Sequence, residues 1–159
     1  MNSTESKALR DHVVELLGKS NAHAPFEAAV RDFPVELRGK KLRGSPHTAW
    51  QLLEHMRIAQ WDILEFSRKP KHVSPAWPDE YWPPTPAPPD DSAWDNSVRR
   101  FRADLKAMQK LVADPGSDLF QPFAHGDGQT LLREALMLAD HNAYHIGQLV
   151  LLRRLLGAW

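Results

Sequence analysis

Between Arg68 and Asp90 the chain carries eight of its 13 prolines, in the run KPKHVSPAWPDEYWPPTPAPP. Proline has no N–H to donate and fixes φ, so neither a helix nor an interior strand can continue through this stretch. Every long element must lie before it or after it. The flanking segments HTAWQLLEHMRIAQWDILEFSR and SAWDNSVRRFRADLKAMQKLVAD hold no glycine or proline at all. The run is therefore either a flexible linker between two domains or a long crossover laid over the body of one. Trp77, Tyr81 and Trp82 favour the second, because aromatic side chains of that size need something to pack on.

The periodicity of the rest is helical. Leu9, Val13, Leu16 and Leu17 recur at helix spacing, which predicts a first helix over 4–18 with Ser3 or Thr4 as its cap. A short helical piece is expected at PFEAAVRDF. Ser45-Pro46 reads as a helix start, a hydroxyl cap followed by proline at the first helical position. The second long helix then extends to about Ser67, with Leu52, His55, Ala59, Ile63 and Phe66 on its inward line. Ser92 and Asp95 resemble a capping box for a third helix over 92–113, whose stripe is Trp94, Val98, Phe101, Leu105, Met108 and Val112. Asp114-Pro115-Gly116 ends it. A fourth helix over 129–156 carries Leu138, His141, His145, Leu149, Leu152 and Leu156 inward. No segment shows strand alternation. The expected fold is all-α: a four-helix bundle with a long Pro-rich crossover between the second and third long helices, one domain over residues 1–159.

Composition narrows the function. Twenty basic residues balance twenty acidic ones, so the net charge gives no reason to expect nucleic acid or an anionic membrane as partner. There is no cysteine, which excludes disulfides, thiolate metal sites and cysteine nucleophiles, and fits a reducing compartment. The first residues lack the apolar run of a signal peptide, and no segment approaches the roughly 20 apolar residues of a membrane span. A cytoplasmic protein is expected.

A transition-metal site must then be built from the eight histidines and from oxygen donors. His141 and His145 stand four residues apart on one helix face, about 6 Å apart along the axis. Both imidazoles can reach one ion at metal–nitrogen distances of about 2.0–2.1 Å. His55 is the best third ligand, since it lies on the inward line beside the small Ala59. A histidine on a helix is usually a solvated or singly hydrogen-bonded residue. These three, however, lie on stripes facing the core, where an unpaired imidazole costs free energy. Convergence on one ion explains them more simply than three separate partners. His23, His72 and His125 fall in expected loops. His47 stands two turns from His55, and His12 is the reserve candidate.

Two familiar metal motifs fail on this sequence. A zincin needs glutamate directly after its first histidine as general base, and Asn142 occupies that place. A di-iron carboxylate bundle needs Glu-x-x-His, and no glutamate stands three residues before a histidine. Taken together, SPHTAWQLLEHMRIAQWDILEFSR and DHNAYHIGQLVLLRRLLG resemble the DinB-like family, which includes the YfiT-type metal-dependent hydrolases. The resemblance implies a four-helix bundle, commonly dimeric, with nickel or zinc on three histidines, one from the second helix and two from the last. Residue by residue these are His55, His141 and His145. It further implies small-molecule chemistry, since members of known activity are bacillithiol and mycothiol transferases and a mycothiol-dependent isomerase.

Three neutral histidines leave coordination positions open, and a water or thiol there is acidified. Gln51, Asp62 and Gln148 are the candidates to orient the imidazoles or to bond a bound water. Glu54 and Asp140 point off the stripe, and Arg153 and Arg154 are expected to be solvated or salt-bridged. Three readings follow: a metal-dependent transferase or hydrolase acting on a small molecule, a non-catalytic bundle whose ion staples two helices, or an interaction module using the Trp/Pro-rich loop.

Overall fold

A computed structural model describes residues 2–19 and 22–159. These residues form five α-helices: α1 Ser3–Gly18, α2 Phe26–Val30, α3 Ala49–Arg68, α4 Ala93–Ala113 and α5 Leu131–Leu155. Single 3₁₀ turns lie at Val35–Leu37 and Asp79–Tyr81. Among the described residues there is no strand, and one isolated bridge joins Pro122 to Thr130. The four long helices α1, α3, α4 and α5 are those the periodicity predicts, and α2 is the short piece expected at PFEAAVRDF.

Their starts differ from the sequence reading by a few residues, for a local reason each time. At α1 the cap is Asn2, in a reciprocal box with Glu5 (2.9 and 2.8 Å), rather than Ser3 or Thr4. At α3 the cap is Thr48, not Ser45. Gln51 N–H donates to Thr48 Oγ1 at 3.2 Å while Thr48 N–H donates to Gln51 Oε1 at 3.0 Å. Ser45 spends its hydroxyl on the His47 carbonyl (2.6 Å), so the Ser-Pro pair sits in the turn before the helix. Ser92 caps nothing, because its N–H and its hydroxyl both go to Asp90. Thr130 starts α5, accepting the Arg133 N–H at 3.2 Å.

α3 packs along α4 and α5, and α1 closes the other side of that pair. Burial divides into two apolar clusters. One gathers Trp50, Leu53, Met56, Trp94, Phe101, Leu149 and Leu152 with Phe26 and Val30 of α2. The other gathers Val13, Leu17, Leu64, Met108, Val112, Leu119, Leu131 and Leu138. The stripe on α4 is buried as expected save Leu105, which is half-buried. Leu16 is exposed rather than inward, and Phe66 and Leu156 are half-buried. Arg153 is neither solvated nor salt-bridged. It is buried, and its guanidinium donates to the carbonyls of Ala28, Ala29, Arg31 and Ala158 at 2.7–3.2 Å. Three of those carbonyls lie at the C-terminal end of α2, where the helix dipole favours a cation.

The crossover lies on α3. Tyr81 donates its hydroxyl to Asp62 at 2.5 Å, His72 Nε2 meets the other Asp62 oxygen at 2.7 Å, and Thr48 Oγ1 donates to the Pro86 carbonyl at 2.6 Å. Near its far end Ala87 presses against Gly39, where a Cβ would collide with it. Only part of the aromatic expectation holds: Trp82 packs inward, whereas Trp77 stays 74% exposed.

Candidate metal centre

Helix periodicity turns His55 of α3 toward α5, and His141 and His145 of α5 toward α3. The rings meet with centroids 5.0 Å apart for His55–His141, 4.6 Å for His55–His145 and 4.5 Å for His141–His145. One nitrogen from each lies within 4.8 Å of the others, so the group could hold a metal ion. Among the described residues no carboxylate or fourth imidazole joins it. His55 and His145 are buried and His141 half-buried.

Hydrogen bonds decide which nitrogen each ring presents. His55 Nδ1 lies 2.9 Å from the Tyr81 carbonyl, which can only accept, so Nδ1 carries the proton and Nε2 is bare. His145 Nδ1 bonds Gln148 Oε1 at 2.8 Å, which leaves its Nε2 bare in the same way. His141 Nε2 stands 3.1 Å from His55 Nε2. Two nitrogens on one tetrahedral ion stand about 3.3 Å apart, given metal–nitrogen bonds of about 2.0–2.1 Å. The donor set fits such an ion with little adjustment.

Electrostatics favour the ligand form. Burial lowers the pKa of His55 and of His141 to about 4, and the neighbouring imidazoles push in the same direction. Burial also lowers His145. All three rings are therefore neutral near pH 7, and neutral imidazole is the form that binds metal.

One wall of the centre comes from the crossover. The Trp82 indole is sandwiched between His47 and His55, with centroids 3.8 Å away on each side and planes within 12° and 2° of parallel. His47 thus reaches the site through Trp82, not as a ligand. Beyond it opens a trough of about 590 Å³ lined by Leu42, Arg43, His47, Leu52, Gln148 and Leu151, among others. A second cavity of about 400 Å³ lies among α1, α2, α4 and α5, and none of the three histidines lines it.

The orienting residues expected from sequence divide three ways. Gln148 does bond one of the three histidines, His145. Gln51 does not, since its side chain is spent capping α3. Asp62 does not touch the rings either. Seven residues along a helix return a side chain to the same face but about 10 Å further on. From there Asp62 grips Tyr81 and His72, and so fixes the carbonyl that orients His55. His12 is exposed, and His125 bonds the Phe66 carbonyl at 2.9 Å. Glu54 is paired with Arg57 and accepts from Ser97. The Tyr81 carbonyl carries no sequence signal, being backbone, and Trp82 was legible only as an aromatic in need of packing.

Asn142, whose presence removed the protease reading, is buried. Its Nδ2 donates to Gln60 Oε1 at 3.0 Å, and Gln60 Nε2 donates to the Phe101 carbonyl at 2.6 Å. Sequence spacing gave no hint of this polar line through the core.

Residues 20–149 match the family model of the DinB superfamily, a span that includes all three histidines. The chain belongs to the DinB superfamily. No curated protein and no solved structure matches it. The all-helical architecture agrees with a DinB-like fold. No helix among the described residues of this DinB-like chain is long and apolar enough to cross a membrane.

Proposed function

We propose that this DinB-like chain, read as one domain over 1–159, binds one divalent transition metal, zinc or nickel, through His55, His141 and His145, and acts as a metal-dependent transferase or hydrolase on a small molecule. One observation carries the reading: three neutral imidazoles converge, and among the described residues no fourth protein donor completes a closed shell. Closed four-ligand sites are structural, and three-ligand sites keep positions for substrate. When bound, such an ion acts as a Lewis acid that makes a thiol or water nucleophilic near neutral pH.

The chain's own residues supply the rest. The Tyr81 carbonyl and Gln148 hold the Nδ1 protons of His55 and His145 and so aim their Nε2 lone pairs. Trp82 and His47 shield one flank from water. The trough offers apolar walls at Leu52 and Leu151 for the body of a substrate, with Arg43 beside it. A thiol-bearing substrate suits an ion with neutral nitrogen ligands, since a thiolate brings the balancing negative charge. Cobalt-loaded protein titrated with 2-mercaptoethanol tests this. A thiolate-to-cobalt charge-transfer band is the expected result. A cobalt spectrum indifferent to thiol and to every other small ligand would instead make the ion a staple between α3 and α5.

The reading includes a homodimer in a reducing cytoplasm, which the lack of cysteine suits. Support for self-association comes from α5. Its outer face exposes Tyr144, Leu151 and Leu155, each at least 59% accessible, around Gly147, where an added Cβ meets nothing. An apolar line of that length on a chain of zero net charge invites a second copy. Sedimentation should give twice the chain mass, and Leu151→Glu should halve it. A wild-type monomer at tens of micromolar refutes the dimer.

A further inference from the structure

We propose that two copies of this chain pair antiparallel along the outer face of α5, crossing at Gly147, so that Tyr144 of each copy rests on the Leu151 that walls the other's trough. This pairing presupposes the homodimer proposed above, gives it a direction and a register, and makes the trough a shared site.

Between Met137 and Arg154 the exposed positions of α5 are Met137, Asp140, Tyr144, Gly147, Leu151 and Arg154. They recur at steps of three, four, three, four and three. A repeat of about 3.5 residues keeps one seam of a helix turned toward a second helix. The bundle does not supply that helix, because α5 meets its own neighbours through Leu138, His145, Leu149 and Leu152 on the buried side. At the middle of the seam stands Gly147, where an added Cβ would meet nothing. Glycine weakens a helix interior, and no contact within the chain asks for it here. The separation of two packed helices depends on the side chains at their crossing, so a glycine there lets a second helix come close.

The order of residues along the seam selects both partner and direction. Asp140 and Arg154 stand seven residues to either side of Gly147. Both are exposed, and among the described residues neither has a partner of opposite charge; Arg154 lies over the Trp159 ring at 5.0 Å. Laid antiparallel on a second copy about Gly147, the seam sets each Asp140 against an Arg154 and each Tyr144 against a Leu151. Laid parallel, it sets Asp140 on Asp140 and Arg154 on Arg154, and like charges so juxtaposed disfavour a complex. A two-fold interface requires a surface that is its own complement when reversed, and this seam is one. No membrane and no unrelated chain would match that symmetry.

The seam also reaches the trough. Leu151 and Leu155 are among the residues that line it. In the pair, the partner's Tyr144 covers Leu151 and adds an aromatic wall that a single copy lacks. Each Tyr144 ring further packs edge-on against its own His145, with centroids 4.9 Å apart. Every Tyr144 thus touches its own histidine cluster and the trough of the other copy.

The chain has no cysteine, so introduced ones report this geometry without background. Protein carrying both Tyr144→Cys and Leu151→Cys should become a covalent dimer on treatment with diamide. Either substitution alone should leave single chains, whereas parallel pairing would cross-link the single variants. The two cysteines cannot join within one chain, since seven helical residues hold them about 10 Å apart, beyond the roughly 7 Å a disulfide can span. In sedimentation, Asp140→Lys and Arg154→Glu should each weaken the dimer about 10-fold, and together restore it to within about threefold of wild type. If a cysteine variant does not fold, the charge variants decide. A double-cysteine variant that stays uncross-linked, single variants that cross-link, or a combined charge variant as weak as its parents overturns the antiparallel seam and leaves the dimer standing. A wild-type monomer sinks this pairing and the dimer reading together.

Discussion

Replacing His55 with alanine is expected to reduce bound zinc from one ion per chain to below about a tenth, read by elemental analysis of purified protein. The expected loss of affinity exceeds about 100-fold, because deleting a ligand costs more than the 10–100-fold typical of an outer-shell partner. His141 and His145 remain on one helix, but two imidazoles without the third leave the ion largely to water. The helices should stay folded, since the alanine opens space beside Trp82, His141 and His145 and outside both apolar clusters. His12→Ala, at an exposed position on α1, should leave the metal content at wild-type level. Equal metal in the His55 variant would place the ion elsewhere and end the three-histidine proposal.

The second large effect is on stability. Phe101 is 1% exposed and stacks on Phe26 with centroids 3.9 Å apart, which ties the short α2 to α4. Phe101→Ala should cost about 3–5 kcal/mol, the usual range for deleting a buried aromatic whose site cannot collapse. For a chain of this size that corresponds to a fall in melting temperature of roughly 6–20 °C. The Phe101 carbonyl also anchors Gln60, so the variant combines a cavity with a loosened polar line. A loss under about 1 kcal/mol would mean that α2 moves in to fill the space.

Much of this was readable beforehand, and the reason is periodicity. Trp94, Val98, Phe101, Met108 and Val112 announce α4 because a buried helix face repeats every three or four residues. The same rule put His55, His141 and His145 on facing stripes, and the three do come together. Periodicity fixes direction but not reach, which is why Asp62 looked like a neighbour of His55 and lies two turns away. Helix starts depend on which of several polar side chains is still free to bond. Ser45 and Ser92 are engaged by His47 and Asp90, so Thr48 and a bare turn do their work instead. Least legible were backbone partners. The carbonyls that hold His55, Gln60 and Arg153 belong to residues whose side chains say nothing about the role.

The sandwich of His47, Trp82 and His55 has a temporal consequence. One face of the centre and the carbonyl that orients His55 both belong to the crossover, not to the helices. The bundle can therefore form with all three histidines in place while the pocket around them is still open and His55 is free to turn. Surface segments open more often than the core they cover. Exchange of whatever the histidines hold would then follow the rate at which Tyr81 and Trp82 lift away from α3, far faster than the unfolding of the four helices beneath.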